Sequence, residues 1–344
     1  MKTGSWQDII GHEQQIRQLR HMVETGHIQH ALLFTGPEGV GKMTAAMLFA
    51  AAVLCETLPH TGQPCGECLS CRNLAQTAHP DFIKIAPEGQ TIKIDQIRAM
   101  QQAVSARPLV GSYRVCVIEG AELMTDQAAN SLLKLLEEPP AYLIFILTAS
   151  RRYSLLDTIV SRCRIYRFEP VAAELISSYL IRRGVQEELA LAAARMSGGR
   201  CGFALRLAQP EGFTARNEAI NILQELEAPP MQRIWDIAAG LNEQDDKTVV
   251  DLLTNLSGCL RDLVMIKTGL GTELAFSADQ IQRLARLAAG WSRPALIKAY
   301  GAVRQAQRAI TGNANTRLTI ETLIMELIEY RGGQLGADSG WNPV

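Results

Sequence analysis

The sequence carries almost no excess charge of either sign. Its 34 Lys and Arg against 35 Asp and Glu leave a formal net charge of -1 over 344 residues. That balance excludes a generally basic nucleic-acid coat, so any contact with DNA phosphates has to come from local patches. Apolar runs of membrane-spanning length are missing, and residues Met1 to Asp8 lack the apolar core of a secretory signal. The expectation is a cytoplasmic chain with no membrane partner, whose eight cysteines stay reduced. Internal repeats and low-complexity tracts are absent too, apart from the Gly-rich tail after Tyr330, which reads as a loose end. What is present is an ordinary globular composition, 47% hydrophobic and 20% charged, with room for two or three domains.

One further absence is local. Residues 36 to 44 read Gly-Pro-Glu-Gly-Val-Gly-Lys-Met-Thr, a phosphate-binding loop with one wrong residue. Gly36, Gly39 and Gly41 let backbone N–H groups approach an anion, and Lys42 supplies a point charge for the outer phosphates. Val40, Met43 and Thr44 complete the candidate nucleotide-binding stretch. The position after the lysine calls for a hydroxyl to ligate magnesium. Met43 offers a thioether, a poor ligand for a hard cation. The hydrolytic half of such a site belongs at the end of a later strand, where the sequence reads Val115-Cys116-Val117-Ile118-Glu119-Gly120-Ala121-Glu122. Glu119 stands where a metal-holding carboxylate belongs and is placed to reach the metal. Gly120 stands where a water-activating carboxylate belongs and can do no general-base work. Glu122 reads as a solvated helix-start residue. Two losses in one chemical step predict slow or absent ATP turnover, with ATP or ADP binding left open.

The pattern of the first half alternates strand and helix. Strands are expected at Ala31–Thr35, Asp81–Ala86, Arg114–Ile118, Tyr142–Ala149 and Arg164–Phe168. Helices are expected at Lys42–Leu54, Ile94–Ser105 and Gln127–Glu138. In the last of these Leu132, Leu133, Leu135 and Leu136 form the buried side, and Pro139-Pro140 ends it. Near-continuous apolar strands separated by helices predict a parallel sheet covered on both faces. After Pro170 the strands end. Residues 172–208 read as short helices broken at Gly184 and at Gly198-Gly199, with Pro210 and Gly212 as a second joint. From about Thr214 to Arg331 the chain reads as helical, with turns at Pro229-Pro230 and Ser292-Arg293-Pro294, and with Trp235 and Trp291 in its core.

Cys55, Cys65, Cys68 and Cys71 follow the spacing Cys-x9-Cys-x2-Cys-x2-Cys. Four thiolates within seventeen residues of a reducing compartment fit a closed tetrahedral Zn²⁺ site, structural rather than catalytic. Disulfides are the competing reading, and the compartment argues against them. Cys116, Cys163, Cys201 and Cys259 are isolated and read as packing residues. The basic pairs Arg151-Arg152 and Arg182-Arg183 read as solvated faces, and His79 before Pro80 as a turn residue.

Several further segments resemble the AAA+ clamp-loader family of the bacterial DNA polymerase III holoenzyme, over almost the whole chain. They are Trp6 to His12, His30 to Phe34, His79-Pro80-Asp81, Asn130 to Pro140 (Asn-Ser-Leu-Leu-Lys-Leu-Leu-Glu-Glu-Pro-Pro), Ser161-Arg162-Cys163 and Asn313 to Leu318. The resemblance implies an AAA+ P-loop domain over 1–169 with the four-cysteine zinc module at 55–71. It also implies a small helical lid over 170–209, an all-α collar over 210–331 and a tail at 332–344. It places Ile9 and Ile10 near the adenine, and Gly202 where the family's ATPases carry a lid arginine. Arg200 is offset from that place by two residues. With Met43, Glu119 and Gly120, Gly202 marks a degenerate hydrolytic site, as in a stator subunit rather than a gamma/tau-type motor. The runner-up is an active gamma/tau-type ATPase with atypical motifs. The implied partners are gamma/tau and delta subunits, with the sliding clamp and primed DNA reached through the complex. DNA synthesis would belong to another polypeptide. Arg162 is the implied catalytic contribution, a finger reaching a neighbour's ATP. From its spacing alone it reads as a structural arginine paired with a local carboxylate.

Overall fold

The computed structural model describes residues 4–57, 62–209, 212–226, 240, 245–269, 277, 280–312 and 314–332. Pro210, the turn at Pro229-Pro230, Trp235, Asn313 and the tail beyond 332 lie outside the described residues. Among the described residues, no helix is long and apolar enough to cross a membrane.

After a single turn of 3-10 helix at Trp6–Asp8 come α1 (Glu13–Thr25), β1 (Ala31–Thr35), α2 (Lys42–Leu54), α3 (Leu69–Ala75) and β2 (Phe82–Ile85). They are followed by α4 (Ile94–Val104), β3 (Arg114–Ile118), α5 (Asp126–Glu137), β4 (Leu143–Ala149), α6 (Asp157–Val160) and β5 (Arg164–Arg167). The five strands form one parallel sheet in the order β2-β3-β4-β1-β5. Successive side chains of a strand point to opposite faces, and here both faces are dry. Leu32, Phe34, Val115, Val117, Ile144 and Ile146 pack with α1 and α2 residues such as Leu19 and Phe49. Leu33, Cys116, Ile118, Phe145 and Leu147 pack with Ile97, Met100, Leu132 and Leu136 of α4 and α5. Leu133 and Leu135 of α5 are half-buried at the margin of this second cluster. The register sets Thr35 beside Ala149 and Leu147 beside Ile118. The chain therefore leaves β1, β3 and β4 along one edge, the carboxyl edge, where open parallel sheets hold their ligands.

Beyond β5, helices run over Ala173–Arg182, Glu187–Met196 and Cys201–Leu207. Contacts divide the chain into two compact units. One groups Met1–Tyr179 with Ser197–Ala204, and the other groups Leu180–Met196 with Leu205–Val344. The segment expected as a separate lid over 170–209 is thus shared between the two. The second unit is helical where described, with helices at Thr214–Glu225, Asp246–Thr268, Ile281–Ala289, Arg293–Thr311 and Thr316–Gly332. Its core includes Leu223, Leu256, Leu260, Trp291, Leu296 and Leu327. Ser292 caps the Arg293–Thr311 helix through an Oγ that accepts from the Ala295 N–H, with Pro294 in the first turn.

Candidate functional site

The glycine loop leaves β1 and enters α2 as the motif requires. Gly36 cannot carry a side chain, because a Cβ built on it would sit 1.9 Å from the Phe168 carbonyl oxygen. Its N–H donates to the Ala149 carbonyl at 3.1 Å, which pins the loop's start to the end of β4. Behind the loop, His12 donates from Nε2 to the Val40 carbonyl at 3.2 Å. A carbonyl only accepts, so this nitrogen carries the proton. Burial holds His12 below its ordinary pKa, while the Val40 hydrogen bond, Glu13 and Glu169 oppose that shift. Val40, Ile9 and Ile10 are buried. Ile9 also lines a cleft of 720 Å³ with Trp6 and Ile16, a cleft to which no residue of the glycine loop contributes.

Lys42 donates from Nζ to the carbonyls of Gly36 at 2.6 Å and Pro37 at 2.8 Å. Burial lowers its pKa, while Glu122 and Glu38 oppose that shift. Met43 packs against the core on the α2 face of the sheet, and Thr44 is exposed. The magnesium-hydroxyl position is therefore filled by an apolar packing group.

At the end of β3 the two glutamates part company. Glu119 lies beside Lys84 of β2, with Oε2 and Nζ 2.8 Å apart. It is drawn toward the far edge strand, not toward the glycine loop, so its expected reach to a metal is not what the side chain makes here. Gly120 is left-handed at φ 66 and donates its N–H to Thr148 Oγ1 at 3.1 Å. Glu122, expected in solvent, accepts the Ser150 N–H on Oε1 at 2.7 Å and has Oε2 buried. Its partner lies 28 residues on and at the end of another strand, so nothing local in the sequence signals the contact.

Residues Ser197–Ala204 belong to the same compact unit as the loop. Gly202 donates its N–H to the Gly39 carbonyl at 2.7 Å, and a Cβ at 202 would lie 3.4 Å from that oxygen. Arg200 folds back on its own turn. Its Nε donates to the Ser197 carbonyl at 3.0 Å and its guanidinium lies 4.9 Å over the Phe203 ring.

Arg162 follows α6 and is half-buried. It donates to the Thr158 carbonyl at 2.8 Å and to Glu137 Oε1 of α5 at 2.6 Å. The local carboxylate that its spacing suggests is thus present, at the end of the Leu-Glu-Glu-Pro-Pro helix.

The four module cysteines converge. Their sulfurs all lie within 4.8 Å of one another. Cys55 and Cys68 are 4.0 Å apart, and Cys65 and Cys71 3.9 Å. All four are free thiols, and a disulfide needs about 2.05 Å. Four sulfurs each about 2.3 Å from a common centre make a tetrahedron with edges of about 3.8 Å. The cluster therefore has the size of a four-coordinate metal site. Backbone N–H groups of Glu67 and Cys68 donate to Cys65 Sγ at 3.4 and 3.3 Å, and that of Cys71 donates to Cys68 Sγ at 3.4 Å. The Thr57 hydroxyl and the Cys68 and Glu67 N–H groups lower the Cys65 pKa to about 6. Burial raises Cys55 and Cys71. A second network ties the module to the sheet. His79 Nδ1 accepts the Asp81 N–H at 3.0 Å, so Nε2 donates to Ser70 Oγ at 2.9 Å, and Ser70 donates to Glu56 at 2.7 Å.

Two family models match the chain. One, described as DNA polymerase III, delta subunit, covers residues 11–172, and one described as its C-terminal part covers residues 210–329. DNA polymerase III subunit delta' of Bacillus subtilis (strain 168) is 29% identical over 94% of this chain and 99% of that protein. The delta' subunit of Escherichia coli (strain K12) is 30% identical over 89% of this chain and 91% of that protein. DNA polymerase III subunit tau of Bacillus subtilis is 34% identical, but over 50% of this chain and 30% of that protein. Among solved structures, a DNA polymerase III gamma subunit-related protein from Thermotoga maritima shares the fold. Its TM-score is 0.51 at 19% identity, over 92% of this chain and 99% of that one. Matched from the glycine loop to the last helices, and along almost the whole length of its delta' relatives, the chain belongs to the family of DNA polymerase III delta' subunits.

Proposed function

We propose that this chain is the stator subunit of a cytoplasmic clamp loader. It assembles with gamma/tau and delta subunits to place a sliding clamp on primed DNA, and it does not itself synthesise DNA. One observation carries the reading. Similarity to delta' subunits runs through both compact units, whereas similarity to tau covers half of the chain. The pocket supports a weak or absent ATPase, since Met43 offers no hard ligand and Gly120 no base. The loop keeps its nucleotide-holding parts, Gly36, Gly39, Val40, Gly41, Lys42 and Thr44, and Ile9 and Ile10 are buried. We assign it ATP or ADP as ligand.

The chemical contribution we assign to this chain is Arg162, acting on the triphosphate of a neighbouring subunit. A guanidinium there stabilises charge developing on the γ-phosphate, an effect of ~10³–10⁵ in arginine-finger systems. In the isolated chain Glu137 holds that guanidinium. The finger role requires Arg162 to exchange one anionic partner for another on assembly. The four-cysteine cluster we assign to structural Zn²⁺, held by Cys55, Cys65, Cys68 and Cys71 with no open position for chemistry.

The decisive experiment reconstitutes the loader with Arg162→Ala and measures DNA-stimulated ATP hydrolysis. A large loss is expected, and rates equal to wild type reject the finger. Brisk hydrolysis by the isolated chain, abolished by Lys42→Ala, would instead assign it to the gamma/tau-type ATPases.

A further inference from the structure

The acidic side of the nucleotide pocket is displaced by three residues. Glu119 leaves β3 toward Lys84 and is engaged there at 2.8 Å. The left-handed Gly120 then starts a 3-10 turn over Ala121–Leu123. That turn carries Glu122 to Ser150, whose N–H holds Oε1 at 2.7 Å. Ser150 directly follows β4, and β4 is the strand paired with β1, from which the glycine loop emerges. Glu122 Oε2 is buried and makes no hydrogen bond. Leaving such an oxygen unmatched is unfavourable, and more so when it is charged. Among the carboxylates acting on Lys42, Glu122 attracts it most strongly, ahead of Glu38 in the loop itself. Lys42 nevertheless bonds the Gly36 and Pro37 carbonyls, which leaves Glu122 Oε2 without a hydrogen bond. Through Ser150 this carboxylate stands one residue from Ala149, whose carbonyl accepts the Gly36 N–H of the loop.

We propose that Glu122, and not Glu119, is the carboxylate through which this chain holds the Mg²⁺ of a bound nucleoside di- or triphosphate. The inference rests on the reading of the loop as a nucleotide site. A hard cation needs oxygen ligands, and Mg²⁺ is commonly held by one or two carboxylates together with phosphate oxygens and water. With Met43 apolar and Glu119 turned toward Lys84, Glu122 Oε2 is, among the described residues, the buried carboxylate oxygen left without a hydrogen bond. Such a ligand steadies nucleotide without restoring hydrolysis, because Gly120 still supplies no base.

The test titrates the purified full-length chain with a fluorescent ADP, once with Mg²⁺ and once with EDTA. Glu122→Gln keeps an oxygen for the Ser150 N–H and removes only the charge, and its affinity in EDTA reports that the pocket is still folded. Wild type is expected to bind more tightly with Mg²⁺ by about tenfold or more, the scale on which metal-shell changes act. Glu122→Gln is expected to lose that gain, and Glu119→Gln to keep it. A full Mg²⁺ gain in Glu122→Gln, or its loss in Glu119→Gln, overturns the assignment. Nucleotide binding by wild type that ignores Mg²⁺ overturns it as well, while leaving the loop reading intact. Failure of wild type to bind at all overturns both.

Discussion

Asp81 is fully buried just before β2 and pairs with Arg114 of β3 at 3.0 Å. Its carboxylate also accepts the N–H groups of Leu109 and Val110 at 2.8 Å each, which fixes the loop before β3 and leaves both apolar side chains exposed. Removing one partner of a buried pair strands the other charge. Asp81→Ala is therefore expected to cost about 3–5 kcal/mol in urea denaturation. The pH dependence has a definite sign. Burial alone would raise the Asp81 pKa, but the two N–H donors and the guanidinium outweigh it and hold the group below its ordinary 3.8. The contribution is present above that value and is lost as pH falls through the lowered folded one. The gap between wild type and Asp81→Ala should accordingly narrow in acid, and a gap independent of pH would reject the charge argument. Arg162 is the opposite case. Its pair with Glu137 is short, but the two side chains are 33% and 48% exposed. Exposed pairs contribute about 0–1 kcal/mol, so Arg162→Ala should melt within that margin of wild type. The guanidinium is thus held cheaply enough to change partners.

At the scale of elements, the cysteine module is the part that the chain cannot hold by packing alone. The α3 helix has seven residues, against the ~12–15 an isolated helix needs even in favourable sequences. Two devices replace length. Cys68 caps α3 through its sulfur, and the Glu56–Ser70–His79 chain anchors it to the start of β2. If the module holds Zn²⁺ as proposed, a strong chelator should release about one equivalent per chain and expose the amides of 69–75 to exchange. The amides of β1, β3 and β4, buried on both faces of the sheet, should stay protected. Cys68→Ser should do the same without chelator, and protected α3 amides in a metal-free protein would contradict it. The module's spacing was legible in the sequence because its four cysteines lie close together along the chain. β1, β3 and α2 were legible to the residue because their apolar runs are bounded by turn and glycine signals. The α1 helix was not, since Glu13–Thr25 is rich in Gln and Arg and fully buries only Leu19 and Val23. The partings of Glu119 and Glu122 were not legible either. Each depends on which strands are neighbours, Lys84 on one side of β3 and Ser150 on the other, and strand order is not written in any local pattern.

At the scale of the molecule, the two compact units differ in what holds them. The first is organised by a parallel sheet whose strands are far apart in sequence, and one of its two core clusters draws on residues from Trp6 to Phe168. The second takes the main hydrophobic core of its described part from Ala219 to Leu327 alone, in helices that follow one another along the chain. Such a core has low contact order and no missing strand. A fragment covering residues 205–344, which is the second unit without Leu180–Met196, is therefore expected to fold by itself, with a helical circular-dichroism spectrum and a single cooperative melt, whereas fragments ending before β4 should not fold. If this unit also serves as the collar, the same fragment should co-elute with gamma/tau and delta subunits on gel filtration. It should bring no Arg162 with it, so the assembly it joins should form without regaining DNA-stimulated ATPase. A fragment that folds but stays out of the complex would move the assembly surface to the first unit. A fragment that fails to fold would mean that the helical core draws on the sheet for its stability. Assembly together with full ATPase would take the finger away from Arg162, since no other part of this chain would then be needed at a neighbour's phosphate.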